Sequence, residues 1–226
     1  MAKSLVDVIW GRVNTRHLLM IAALFVEPDG VYTGLDHVDP WDESRDARGY
    51  SGPFAVVAHP PCKRWGRYWS GGPSAKVRRK LGDDGGCFAS ALGSVRRWGG
   101  VLEHPEASHA WIKHGLIKPP RDGGWIAAGD WTGWTCCVEQ GHYGHRARKA
   151  TWLYCAGVNE LPLLSWGKAE GKQRLDNGYH TRAERSAGNG FERISKARSQ
   201  IAKATPIQFR DLLIKIAENA KMNKGK

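Results

Sequence analysis

Phe54-Ala-Val-Val-Ala-His-Pro-Pro-Cys62 is the stretch whose reading decides the fold. Phe54 to Ala58 form an unbroken apolar run, without the polar alternation of a half-solvated sheet. A short apolar run between breakers is the signature of a strand covered on both faces. Pro60 and Pro61 cannot donate to a ladder, so the chain leaves the sheet there. Cys62 then sits at the carboxyl end of a central strand, the edge at which open α/β sheets bind ligands. Two readings of its thiol stand side by side. It is a nucleophile or substrate contact, or it is a small buried hydrophobe.

A second stretch, Val101-Leu-Glu103-His104-Pro105, repeats the pattern with a carboxylate at the strand end. A buried carboxylate is costly unless paired or functional. If the two strands are neighbours, Cys62 and Glu103 share one edge as nucleophile and acid, burial raising the Glu103 pKa so that it can hand over a proton. The competing reading has Glu103 cap a helix or pair with an arginine. A third stretch, Tyr143-Gly-His-Arg-Ala-Arg-Lys149, precedes an apolar run. Arg146 and Arg148 project to one side of an extended segment, which suits a phosphate or a planar base, or else a solvated turn.

Outward from these motifs, Leu5 to Trp10 reads as a strand and Arg16 to Val26 as a helix, followed by a short strand over Val31 to Leu35 and a polar loop from Asp36 to Gly52. Ser74 to Trp98 has helical spacing, with Ser74 as its cap. Ser108 to His114 reads as one or two helical turns. Thr135 to Glu139 and Ala150 to Cys155 read as a strand pair. Thr205-Pro206 opens a final helix with Phe209, Leu212, Leu213 and Ile216 on one face. The expected fold is a single α/β domain, Rossmann-like, with a mostly parallel sheet flanked by helices. Residues 1–53 form a short amino-terminal part, 54–160 the motif-bearing core, 161–204 a polar basic excursion and 205–220 the last helix.

The 226 residues carry a formal charge of +12. A domain this basic commonly meets a polyanion, and Lys63, Arg64, Arg67, Arg78, Arg79 and Lys149 flank the motifs, so DNA is the expected partner. No apolar run reaches the ~20 residues of a membrane span, and no secretory signal is evident. Five cysteines, two of them adjacent, argue against a disulfide framework and for a reduced, cytoplasmic compartment. His59 with Cys62, Cys136 with Cys137, and His142 with His145 are the residue types of a zinc site. Adjacent cysteines rarely supply two ligands, and no metal is favoured.

In order and rough spacing, the three motifs resemble the DNA cytosine-5 methyltransferase family. The match is closer to small phage-encoded proteins of that type, which carry a His-Pro-Pro-Cys corner, a Glu-(Asn/His)-Pro step, a Gly-His…Lys-x-Thr-x-Leu strand and a terminal Thr-Pro helix. The counterparts are His59 to Cys62, Glu103 to Pro105, Gly144 to Leu153, and Thr205-Pro206. The resemblance implies a methyltransferase-like fold and a flipped pyrimidine. Cys62 would add to C6, Glu103 would protonate or hydrogen-bond N3, and Arg146 or Arg148 would hold the ring or backbone. Trp65 and Trp69 would stack on bases. The resemblance also implies S-adenosylmethionine, held by a glycine turn after the first strand and an acidic residue after the second; the counterparts are Gly11 and Asp36. The alternative is a non-catalytic DNA-binding protein of a phage, which masks sites without reacting.

Overall fold

In the computed structural model, residues 20–66, 69–70, 76–77, 79–170, 173–174, 182, 192–193 and 204–221 are described. The chain runs β1 (Ile21–Leu24), β2 (Val38–Trp41), β3 (Ala55–Ala58), α1 (Cys87–Trp98), β4 (Gly100–Pro105) and α2 (His109–Lys113). It continues through β5 (Ile126–Ala127), β6 (Gly133–Glu139), β7 (Ala147–Arg148), β8 (Ala150–Ala156), β9 (Gln173–Arg174), β10 (Glu192–Arg193) and α3 (Ile207–Glu218). The main sheet has seven strands in the order β2-β1-β3-β4-β8-β6-β5, and β7, β9 and β10 form a small second sheet.

β2, β1, β3 and β4 pair in parallel, whereas the β4–β8, β8–β6 and β6–β5 pairings are antiparallel. The expected mostly parallel sheet is therefore a mixed one. The reason lies in the connections. A parallel pair needs a long crossover, which the segment holding α1 supplies between β3 and β4. β6 and β8 are joined by only the residues between Glu139 and Ala150, and a short return of that kind favours an antiparallel neighbour.

Both faces of the sheet are covered. Ala22, Leu24, Val56, Ala58, Leu102 and Tyr154 pack on one face with Phe88, Leu92 and Val95 of α1. Ile21, Ala23, Val57, Val101, Leu153 and Cys155 pack on the other with Phe209, Leu213 and Ile216 of α3. Double coverage is why Ala55–Ala58 reads as a continuous apolar run. It is also why the helix expected over Arg16 to Val26 is wrong where it can be seen: Ile21–Leu24 is the inner strand β1, between β2 and β3 and buried along its whole length. A run apolar on every side carries no period to separate helix from strand.

Val31 to Leu35, expected as a strand, is a turn, and the strand comes later at Val38. α1 starts at Cys87, later than expected, because Gly85 and Gly86 take positive φ and the Asp84 carboxylate accepts from the Phe88 amide, fixing the start; the expected cap Ser74 lies outside the described residues. Gly100 has φ +120°, and a Cβ there would meet the Val56 carbonyl at 2.0 Å, so only glycine lets β4 enter beside β3. α3 is capped at Pro206, one residue later than expected. No helix among the described residues is long and apolar enough to cross a membrane. The expected strand Leu5 to Trp10 lies outside the described residues.

Candidate active site

The parallel register aligns Leu24, Ala58 and Leu102 across β1, β3 and β4; β1 and β3 end there, while β4 runs on to Pro105 beside β8. The His59 amide donates to the Leu24 carbonyl at 3.0 Å, carrying the alignment one residue past β3. His59 therefore comes beside Glu103. Strand alternation places both on the α3 face, with Val57 and Val101.

A chain of polar side chains crosses this edge. The Tyr32 hydroxyl lies 2.8 Å from His59 Nε2, and His59 Nδ1 lies 3.1 Å from Glu103 Oε2. Gln140 Nε2 donates to Glu103 Oε1 at 3.1 Å and to Thr151 Oγ1 at 2.9 Å. Tyr32, Gln140 and Thr151 are buried, and the side chains of His59 and Glu103 keep only 13% and 11% of their exposure. The chain ties the β1–β2 turn to β3, β4, β6 and β8. Lys149 is buried beside it, its ammonium donating to the Ala204 carbonyl at 3.2 Å just ahead of α3.

The charge on Glu103 differs from expectation. Burial works to raise its pKa, but the His59 hydrogen bond and the charges of Lys149, His59 and His104 pull it down to about 2. Glu103 rests as a carboxylate, not as the acid the sequence suggests, because partners oppose desolvation. His104 turns to the other face, where its ring lies 5.2 Å from Phe88 and 6.2 Å from Trp111, centroid to centroid. Burial, opposed by Glu103 and the Pro61 carbonyl, lowers its pKa to about 4 and keeps it neutral. Burial likewise drives the Tyr32 hydroxyl well above its ordinary pKa.

Cys62 follows the Pro60-Pro61 corner and is the one exposed cysteine of the five. Its carbonyl accepts from the Trp65 and Gly66 amides, which makes the corner a tight turn. Burial raises the pKa of Cys136, Cys137 and Cys155, which leaves them poor nucleophiles. Lys63 and Arg79 are exposed, Arg64 is half-buried, and Arg67 and Arg78 lie outside the described residues. Arg146 is exposed and Arg148 half-buried, with Ala147 buried between them, as alternation on an extended segment requires.

Trp65 is not a surface for bases. It is 3% exposed, its indole N–H donates to Asp84 at 2.7 Å, and it packs on Phe88. Lys149, expected on the DNA-facing surface, instead turns inward toward Glu103. Asp36 stands before β2, at the edge opposite Cys62; the carboxylate that β2 itself carries, Asp39, binds the Trp41 indole and Arg45. Gly11 lies outside the described residues. Cys136 and Cys137 sit in the two different cores, so they cannot turn to one ion, and no group of three or more metal-ligating residues is placed to hold one among the described residues.

The sequence shows Cys62 and Glu103 near two strand ends but not Tyr32, Gln140 or Thr151, and it shows His59 as a metal-ligand type and as part of the His-Pro-Pro-Cys corner, not as a partner of Glu103. Once β3 and β4 are paired, the equal spacing of His59 from Ala58 and Glu103 from Leu102 exposes the contact. Tyr32, from a turn, leaves no such signal. Compared with protein-family models and with curated proteins, the chain gives no match to either.

Proposed function

We propose that this chain is a DNA base-modifying enzyme of the cytosine-5 methyltransferase type, acting on a flipped pyrimidine, in the manner of small phage-encoded proteins. One observation carries the reading: an exposed thiol, Cys62, just past the end of β3, and a carboxyl group, Glu103, one residue past the shared register on the adjacent parallel strand β4. The parallel half of the sheet, with its ligand edge at these residues, supports a Rossmann-like reading of the fold. The Cys62 thiolate adds to C6 of the base, C5 becomes nucleophilic, and Glu103 engages N3. Arg146 and Arg148 border the site for a phosphate or the ring, with Lys63 and Arg79 as exposed phosphate contacts. A bacterial cytoplasm is the setting this reading implies.

Of the two residues matched to an S-adenosylmethionine site, Gly11 lies outside the described residues. Asp36 is at the wrong edge, and the Asp39 carboxylate is occupied by Trp41 and Arg45. The proposed chemistry is activation of the base at C5 by addition at C6. The test is a DNA duplex in which 2-pyrimidinone replaces cytosine, a ring that accepts a thiol without a donor. A denaturant-stable adduct mapped to Cys62, and missing from Cys62→Ala, is the expected result.

A second reading, a DNA-binding protein that reacts with nothing, has one observation in its favour. Both Glu103 oxygens are already held by His59 and Gln140. It predicts salt-dependent duplex binding that Cys62→Ala leaves unchanged, with no adduct.

A further inference from the structure

We infer that His59 is the proton source for Glu103, so that the acid of this site is the His59–Glu103 pair and not the carboxyl alone. The inference rests on the base-activation reading and extends it to a residue outside the Cys/Glu/Arg set. Base activation needs a proton at N3. A carboxylate that is ionised at rest cannot give one unless something first gives one to it. Among the described residues, His59, with Nδ1 3.1 Å from Glu103 Oε2, is the hydrogen-bonded neighbour of Glu103 whose nitrogen can both carry a proton and give it up. The Gln140 amide donates to the other oxygen but does not ionise.

The step balances. Cys62, exposed, loses its proton to solvent, and its sulfur lone pair forms the Sγ–C6 bond. The C5=C6 π pair becomes C4=C5, and the C4=N3 π pair moves onto N3. N3 takes a proton from the Glu103 carboxyl, and Glu103 is supplied by the Nδ1 proton of protonated His59. His59 is left as neutral imidazole, its Nε2–H donating to the Tyr32 oxygen 2.8 Å away. Before transfer the same Nε2–H makes the same bond, so Tyr32 holds the ring in place through both states. Elimination of the thiol runs the steps backwards and returns the proton to His59.

The charged and titratable groups around the pair come from each packed element. Tyr32 contributes from the β1–β2 turn, His104 from β4, Lys149 from the segment before β8, and Arg210 and Asp211 act through Tyr32 from α3. Lys149 favours the ionised carboxylate, so it helps return the proton to His59 after each cycle. A reservoir that empties must lose activity as pH rises and the pair gives up its shared proton. Glu103 without His59 must instead gain activity as pH falls, when solvent alone can protonate it.

The experiment follows hydrogen–deuterium exchange at C5 of cytosine in a DNA duplex in D2O, by nucleoside mass spectrometry, across the neutral range of pH. C5 takes up deuterium only while the C6 adduct exists, so no methyl donor is needed. Wild type is expected to exchange, with a rate that falls on the alkaline side. His59→Asn is expected to exchange about 100-fold more slowly at neutral pH, with the alkaline limb gone and the rate rising toward acid. Its duplex affinity, read by fluorescence anisotropy, is expected to be unchanged. Tyr32→Phe keeps His59 and is expected to keep the shape of the wild-type profile at a lower rate. Should His59→Asn fail to fold, a Tyr32→Phe profile without its alkaline limb overturns the proposal, and a retained one supports it. A wild-type rate and profile in folded His59→Asn overturns the proton role and leaves base activation standing. Absence of exchange in wild type at every pH overturns both.

Discussion

Glu103 and His104 follow one another along β4, and strand alternation sends their side chains to opposite faces of the sheet. On the α3 face Glu103 meets His59, Gln140 and the charge of Lys149, and it is held ionised. On the α1 face His104 meets Phe88 and Trp111, and it is held neutral. Both are deeply buried, so burial alone does not decide their charge. The difference lies in whether the surroundings supply partners for the charged form. One strand end thus has a chemical face and a packing face, a single residue apart.

The largest effect is expected on the packing face. Phe88→Ala removes a ring that touches His104, Trp65, Trp111 and His114. It should cost about 4 kcal/mol in denaturant unfolding at an unchanged m-value. A loss below about 1 kcal/mol would mean that the aromatic cage does not hold His104.

Acid should then erode stability in two windows. The folded pKa of His104 lies below its ordinary 6.5, near 4, so the unfolded chain takes up a proton first and stability falls as pH drops through that interval. The loss is on the order of 3 kcal/mol, and His104→Leu should flatten it. Glu103 contributes stability above its ordinary 4.5 that disappears as pH falls toward about 2. Glu103→Gln should be about 2 kcal/mol less stable than wild type at neutral pH, with the difference closing in that lower window. Equal pH dependence in the two variants would break the contrast between the faces.

The register of β3 on β4 explains how much of this was legible. The end of β3 is visible in sequence as an apolar run stopped at Pro60, whereas β4, expected to end at His104-Pro105, takes in both residues by pairing with β8. The α1-face residues were legible only as apolar spacing. Ile21–Leu24 was misread as helix because burial on both faces erases periodicity. The antiparallel half of the sheet was missed because strand direction depends on connection length and packing, not on local pattern. The ionised state of Glu103 was also invisible, since it depends on Lys149 and His59 arriving from elsewhere in the chain. Trp65 illustrates the converse. Its place in a basic, aromatic loop suggested stacking on bases, yet Asp84 and Phe88 draw it into the core.

The smallest effect on stability belongs outside both faces. Lys63→Ala and Arg79→Ala sit at exposed positions and should change unfolding by less than about 0.5 kcal/mol. Each should nevertheless weaken duplex binding and reduce the salt dependence of affinity by about one unit of slope. Affinity indifferent to both substitutions would place the DNA surface elsewhere.

If the carboxyl edge of β3 and β4 activates a pyrimidine through Cys62, as proposed, the base becomes covalently attached to that thiol. The most direct test is peptide mass spectrometry of the wild-type protein after incubation with the 2-pyrimidinone duplex under conditions where binding is complete. The predicted result is a nucleotide adduct on Cys62 that is absent from Cys62→Ala although that variant binds the duplex equally. Full binding with no adduct on Cys62 would contradict the account.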